Sequence, residues 1–288
     1  MLGAMAPSAP QIPGYECLEV IAEHDLCAVY RGRHVVMRRE VAIKVIPAQL
    51  VARVPTARQR FLHQAQLLAR IDHPNVIAIF DAGELADGTC YLVMEPIGDE
   101  PLVRRLRTAP PSVAHALRLS RQLAMGLHCI HEAGAVLHDV KPDALTLFPS
   151  RHEPDRYLLK IVNLSLVELH DGSLPRWAAA NQPLGSAAYM SPEQFETGPG
   201  DRRSDIYSFA VVLYELLSGR ELFSAPSFGA MLEARVTQPP PSLRGVVEVS
   251  AEIDALLAAC LATSADDRPP DMTRVIDVLD RELFAIGA

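Results

Sequence analysis

The feature that most constrains this chain is the short stretch Leu137–Asp143, reading Leu-His-Asp-Val-Lys-Pro-Asp, set between a long helical pattern and a short apolar run. Pro110-Pro111-Ser112 breaks the chain ahead of it, and Ser112 is suited to cap a helix running to about Glu132 and stopping at Gly134. Val113, Leu117, Leu123, Leu127 and Ile130 recur on the core face of that helix. His115, His128 and His131 lie on or beside that face and read as satisfied or solvated histidines rather than metal ligands. Leu145–Phe148 follows as a strand. Between helix and strand, Asp139 and Lys141 place a carboxylate and an ammonium two residues apart in one loop.

The chain around this loop is 288 residues long, enough for one large domain or two small lobes with real cores. A net charge of −8 and the lack of a basic stripe argue against a nucleic-acid binder, and Arg104, Arg105 and Arg107 read as a solvated helix face. Five widely spaced cysteines form no Cys-x-x-Cys pair, which fits a reducing cytoplasm and neither a disulfide framework nor a zinc ribbon. The N-terminus lacks a secretory pattern, and no apolar run approaches the ~20 residues that span a bilayer. The best candidate, Phe209–Leu217, is short and contains Glu215. The expectation is a soluble cytoplasmic protein with no membrane span.

In order, residues 1–14 are rich in proline and small residues and read as a disordered tail. Leu18–Ile21 and Ala28–Tyr30 suggest a hairpin, and Val41–Ile46 a third strand. Phe61, Leu62, Ala65, Leu67, Leu68 and Ile71 give Arg58–Ile71 a helical spacing. A strand leads from His73-Pro74-Asn75-Val76 to Glu84, and Ala86–Thr89 turns the chain into Tyr91–Glu95. In the second half, Pro149–Arg156 is a polar insertion before a strand at Tyr157–Val162. Gln238-Pro239-Pro240-Pro241 reads as a rigid connector rather than an SH3 ligand, and a terminal helix runs to about Phe284.

Read together, Val41-Ala42-Ile43-Lys44, the Leu137–Ala144 loop, Ser191-Pro192-Glu193-Gln194, Asp201–Phe209 and Asp267-Arg268-Pro269 resemble the ordered signatures of the protein kinase superfamily. The wording Met190–Gln194 and the short final part look like bacterial (Hanks-type) serine/threonine kinases. The resemblance covers residues 12–286 and implies an α+β, bilobal fold. A small antiparallel sheet lobe with one helix would occupy 15–95, and a larger, mainly helical lobe 96–288.

The same resemblance implies roles. Lys44 would meet the α- and β-phosphates of ATP, Val29 and Ala42 would roof the adenine, and Thr146 would lie at its floor, where Leu is usual. Met94 takes the gatekeeper position, and the carbonyl of Glu95 and amide of Ile97 would bond adenine. Asp139 would accept the proton of a substrate hydroxyl and Lys141 would touch phosphate. Asp205 would receive backbone N–H groups of the loop, and Arg268 would pair with Glu193.

Several positions depart from the pattern. Ala22, His24 and Cys27 stand where three glycines let a backbone approach phosphate, and an imidazole at the central position fills that space. Gln64 replaces the glutamate that pairs with the strand lysine. Leu137 and His138 replace His and Arg of the loop, and His138 removes the usual reader of a phosphate at Ser186. Ala144 and Asn163 replace the Asn and Asp that hold Mg²⁺, a hard cation needing anionic oxygen; Asp143 or Asp171 would be the substitutes. If each lost clamp removes ~2–4 kcal/mol of transition-state stabilisation, three together remove most useful rate.

The expectation is therefore a pseudokinase that binds an active kinase or a signalling substrate, with ATP binding left open and Mg²⁺ binding weak or absent. The alternatives are an active serine/threonine kinase with atypical metal use and a nucleotide-binding sensor without transfer.

Overall fold

The computed structural model describes residues 10–24, 27–52, 57–98, 100–108, 111–150, 157–162, 187–196, 200–225, 227–238 and 242–288. The described residues divide into two compact units, one taking 10–70 with 78–97, the other 71–77 with those from 98 onward.

In the first unit, apolar alternation and β-branched residues build five antiparallel strands: β1 (Tyr15–His24), β2 (Cys27–His34), β3 (Glu40–Ile46), β4 (Ile79–Glu84) and β5 (Cys90–Met94). They lie in the order β1-β2-β3-β5-β4. Tyr30, Val41, Ile43, Val45, Tyr91 and Val93 face one side and close a core with Ile12. Ile12 is 3% exposed. The expected tail therefore ends earlier than residue 14, because an isoleucine is anchored beneath the sheet. Two helices follow β3, a single turn α1 (Ala48–Val51) and α2 (Ala57–Leu68). Phe61, Ala65 and Leu68 are the buried stripe of α2, which stops before Ile71, short of the expected end.

The second unit begins with a second sheet: β6 (Glu100–Pro101), β7 (Leu145–Pro149) and β8 (Tyr157–Ile161), in the order β6-β7-β8. Gly98 is required beside it, since a Cβ there would stand 2.8 Å from Thr146 Cγ2. Residues 71–77 join this unit, against the expected division at 95. The Asn75 carbonyl accepts the Ile161 N–H and the Ile161 carbonyl accepts the Ile77 N–H. The Asn75 side chain donates to the Leu159 carbonyl at 2.8 Å and to Gln122 Oε1 at 3.0 Å.

The helices are α3 (Leu102–Thr108), α4 (Val113–Glu132), α5 (Pro192–Glu196), α6 (Arg202–Ser218), α7 (Phe228–Thr237), α8 (Ala251–Cys260) and α9 (Thr273–Ala285). Ser112 occupies the N-cap of α4 but makes no side-chain cap bond, contrary to expectation; Gly134 turns the chain past its end at φ +80. Ser204–Leu217 of α6 are all buried, so this helix is covered on every side, with Asp205 and Glu215 among its buried residues. Asp201 caps it by accepting the Arg203 N–H at 2.7 Å, and Gly219 ends it in the left-handed region. Among the described residues no helix is long and apolar enough to cross a membrane, and the five cysteines are free.

Candidate active site

The loop that organises the sequence is pinned by one carboxylate. Asp205, in the first turn of α6, is fully buried. It accepts the Leu137 N–H at 2.9 Å and the His138 N–H at 2.7 Å, and meets His131 Nε2 at 2.9 Å. These bonds offset a strained backbone, because His138 has φ +60, a conformation that a residue with a Cβ rarely adopts. His131 is thus a core histidine held through Nε2, while its buried Nδ1 has no partner among the described residues.

A second clamp was not foreseen. The buried Gln194 side chain donates to the His138 carbonyl at 2.9 Å, while its oxygen accepts the Ser191 N–H at 3.0 Å and the Ser191 hydroxyl at 3.1 Å. The loop and the Ser-Pro-Glu segment therefore form one hydrogen-bonded body. No local pattern announces this, since the two partners are separated by 56 residues.

Held in this way, Asp139 and Lys141 come together: Lys141 Nζ lies 2.9 Å from Asp139 Oδ2, and each side chain is 14% exposed. A partly exposed carboxylate beside an ammonium can accept a proton from a hydroxyl and present a positive charge to an anion. Pro142–Ala144 then form a 3-10 turn, and Ala144 is 1% exposed, its carbonyl accepting the Val162 N–H at 2.9 Å. A buried methyl group occupies the place where the resemblance expects a metal ligand. Asn163 lies outside the described residues, as do Ser186 and Asp171. Asp143 is exposed, and its charge is felt at Tyr189 and Glu215, on the side of the Ser-Pro-Glu segment. Mg²⁺, which the resemblance implies, does not fit the donor set at 144.

Glu193 and Arg268 meet as the sequence suggested, Nη1–Oε1 at 2.7 Å and Nη2–Oε2 at 2.8 Å. Ser204 Oγ donates to the same carboxylate at 2.6 Å. Burial alone would raise the Glu193 pKa, but the bonds from Arg268 and Ser204 outweigh it and bring it down to about 2. Arg268 also donates to the carbonyls of Ala262, Arg203 and Thr263, so a side chain with no exposed surface finds five acceptors.

In the sheet unit, Lys44 is half-buried at the middle of β3, opposite Val29 on one side and Leu92 on the other. Val29, Ala42 and Met94 are buried. Glu95 turns its carboxylate back on the residue before β4, accepting the Ala78 N–H at 2.9 Å, and Ile97 ends the unit half-buried. Where glycines were expected, β1 and β2 are paired up to His24↔Cys27, with Ala22 opposite Val29. Gln64 lies within α2. Thr146 is buried in β7 of the other unit, opposite Lys160.

A protein kinase domain model matches residues 15–278. The serine/threonine-protein kinase pkn2 of Myxococcus xanthus is 33% identical over 288 residues, covering 99% of this chain and 34% of that protein. The serine/threonine-protein kinase PknB of Mycolicibacterium smegmatis is 31% identical, covering 88% of this chain and 40% of that protein. This chain spans less than half the length of these curated relatives. The crystal structure of the Mycobacterium tuberculosis PknI kinase domain matches with a TM-score of 0.72 at 22% identity, over 97% of this chain and all of that one, a likeness that shows the fold.

Proposed function

The chain belongs to the protein kinase family, and from that premise we propose that it is a pseudokinase, a binding or allosteric module with little phosphotransferase activity. The observation that carries this reading is the buried methyl group of Ala144. Phosphoryl transfer consists of positioning and charge neutralisation, and Mg²⁺ supplies the neutralising charge when bound. A site with alanine at one ligand position and, by sequence, a neutral amide at the other, Asn163, lacks the anionic oxygens this ion requires. By sequence, Ala22, His24 and Cys27 act in the same direction, because they stand where glycines would let a backbone approach phosphate.

What remains is a scaffold with these internal ties in place: Asp205 to the loop, Gln194 between loop and segment, Glu193 to Arg268. Such a body suits recognition of a protein partner, an active kinase or a signalling substrate. The free cysteines support a cytoplasmic setting for this domain. Nucleotide, where it binds without transfer, would use Lys44, Val29, Ala42, Met94 and the backbone of Glu95 and Ile97.

One observation favours a second reading, an active serine/threonine kinase with atypical metal use: the Asp139–Lys141 pair is intact at 2.9 Å. Thermal unfolding with millimolar ATP, with and without Mg²⁺, separates the readings. The proposal expects no additional stabilisation on adding Mg²⁺ to ATP. A Mg²⁺-dependent rise in the midpoint would overturn it, and no shift with ATP alone would remove the nucleotide sensor.

A further inference from the structure

Glu215 is a buried carboxyl that none of the chemistry above employs. It lies near the C-terminal end of α6, 6% exposed, and one of its oxygens accepts the Tyr189 hydroxyl at 2.8 Å. The other groups facing it are the Leu222 N–H and the Glu221 carboxylate from the chain after α6, and Asp143 from the 3-10 turn. Every charged neighbour is acidic, and among the described residues no cation pairs with it. Burial first, and then the like charges of Glu221 and Asp143, raise its pKa to about 7 against the opposing bonds from Tyr189 and Leu222.

Tyr189 belongs to the segment that precedes Ser191-Pro192-Glu193. Ser208 Oγ donates to the Tyr189 carbonyl at 2.7 Å, and the buried Arg235 donates to the carbonyls of Ala187 and Ala188 at 2.8 and 2.6 Å. Met190 and Ala187 pack with Phe195 and Met231. Among the described residues, the Tyr189–Glu215 bond is the segment's one side-chain link to a group that changes charge near neutral pH.

We propose that Glu215 and Tyr189 form a proton-linked latch on residues 187–191. With the proton on Glu215, a neutral carboxyl and the phenol hold the segment against α6. When that proton passes to solvent, a full negative charge stands buried beside Glu221 and Asp143, and the segment is displaced to admit water. The latch is independent of whether ATP binds, so it holds for either reading of the site.

The test is NMR of the full chain labelled with ¹³C-methyl methionine and side-chain ¹³C glutamate, titrated through neutral pH, with Met190→Leu to assign the reporter. The Met190 methyl signal should move with a midpoint near 7, in step with one glutamate carboxyl. Both transitions should vanish in Glu215→Gln. In Tyr189→Phe the carboxyl should still titrate while Met190 stays still. A Met190 signal indifferent to pH, a Met190 transition that survives in Tyr189→Phe, or a Glu215 carboxyl titrating at about 4 to 5 would overturn the latch.

Discussion

Arg268 closes on Glu193 through two parallel N–H···O bonds of 2.7 and 2.8 Å, and this pair ties α5 to the chain after α8. The Arg268 side chain is fully buried with every donor used, while Glu193 is 22% exposed, so losing the carboxylate leaves a buried guanidinium poorly compensated. Arg268→Ala or Glu193→Gln should each cost roughly 3–5 kcal/mol of stability, read from urea unfolding midpoints. The pH dependence has a definite sign. The Glu193 pKa is lowered to about 2, so its contribution is present above its ordinary value near 4.5 and is lost as pH falls toward 2. Glu193→Gln should flatten that part of the acid unfolding curve.

Glu215 works in the opposite direction. Its pKa is raised to about 7, so the folded state keeps a proton that the unfolded chain releases near 4.5. Stability should therefore fall as pH rises from about 4.5 to 7, by at most ~1.4 kcal/mol per unit. In Glu215→Gln this decline should be absent, which thermal unfolding at several pH values measures directly.

Asp205 holds two backbone N–H groups and His131, and it stabilises His138 in the left-handed region. Asp205→Ala orphans all three donors inside the core. A loss of about 3 kcal/mol or more is expected, with faster hydrogen exchange at the Leu137 and His138 amides than the global destabilisation accounts for.

Much of this was legible from residue order. Val41–Lys44, the Asp139 loop, Ser-Pro-Glu and Asp-Arg-Pro each carry a local reason for their spacing, so the strands, α6 and the Glu193–Arg268 pair follow from them. Other contacts were not legible, because they join residues remote in sequence. Gln194 reaches His138 and Asn75 reaches Leu159 only after folding. Ile12 gave no signal beside its prolines, since one isoleucine has no period. Glu215 did give one, a carboxylate inside the apolar run Phe209–Leu217; its partner Tyr189 lies 26 residues away and could not be named from the pattern.

Restoring the ligands should restore the metal. Ala144→Asn together with Asn163→Asp should produce a Mg²⁺-dependent rise in thermal midpoint with ATP that the parent lacks. The double variant should also be less stable without ligand, because position 144 is buried and an amide must replace a methyl. Calorimetric titration with Mg²⁺-ATP checks the gain.

The most direct measurement is transfer of labelled γ-phosphate from ATP to protein substrates, with Mg²⁺ or Mn²⁺, in the parent and in Asp139→Asn. The pseudokinase reading predicts that the two incorporate label at the same background level. Transfer at ordinary kinase rates that disappears in Asp139→Asn would contradict it.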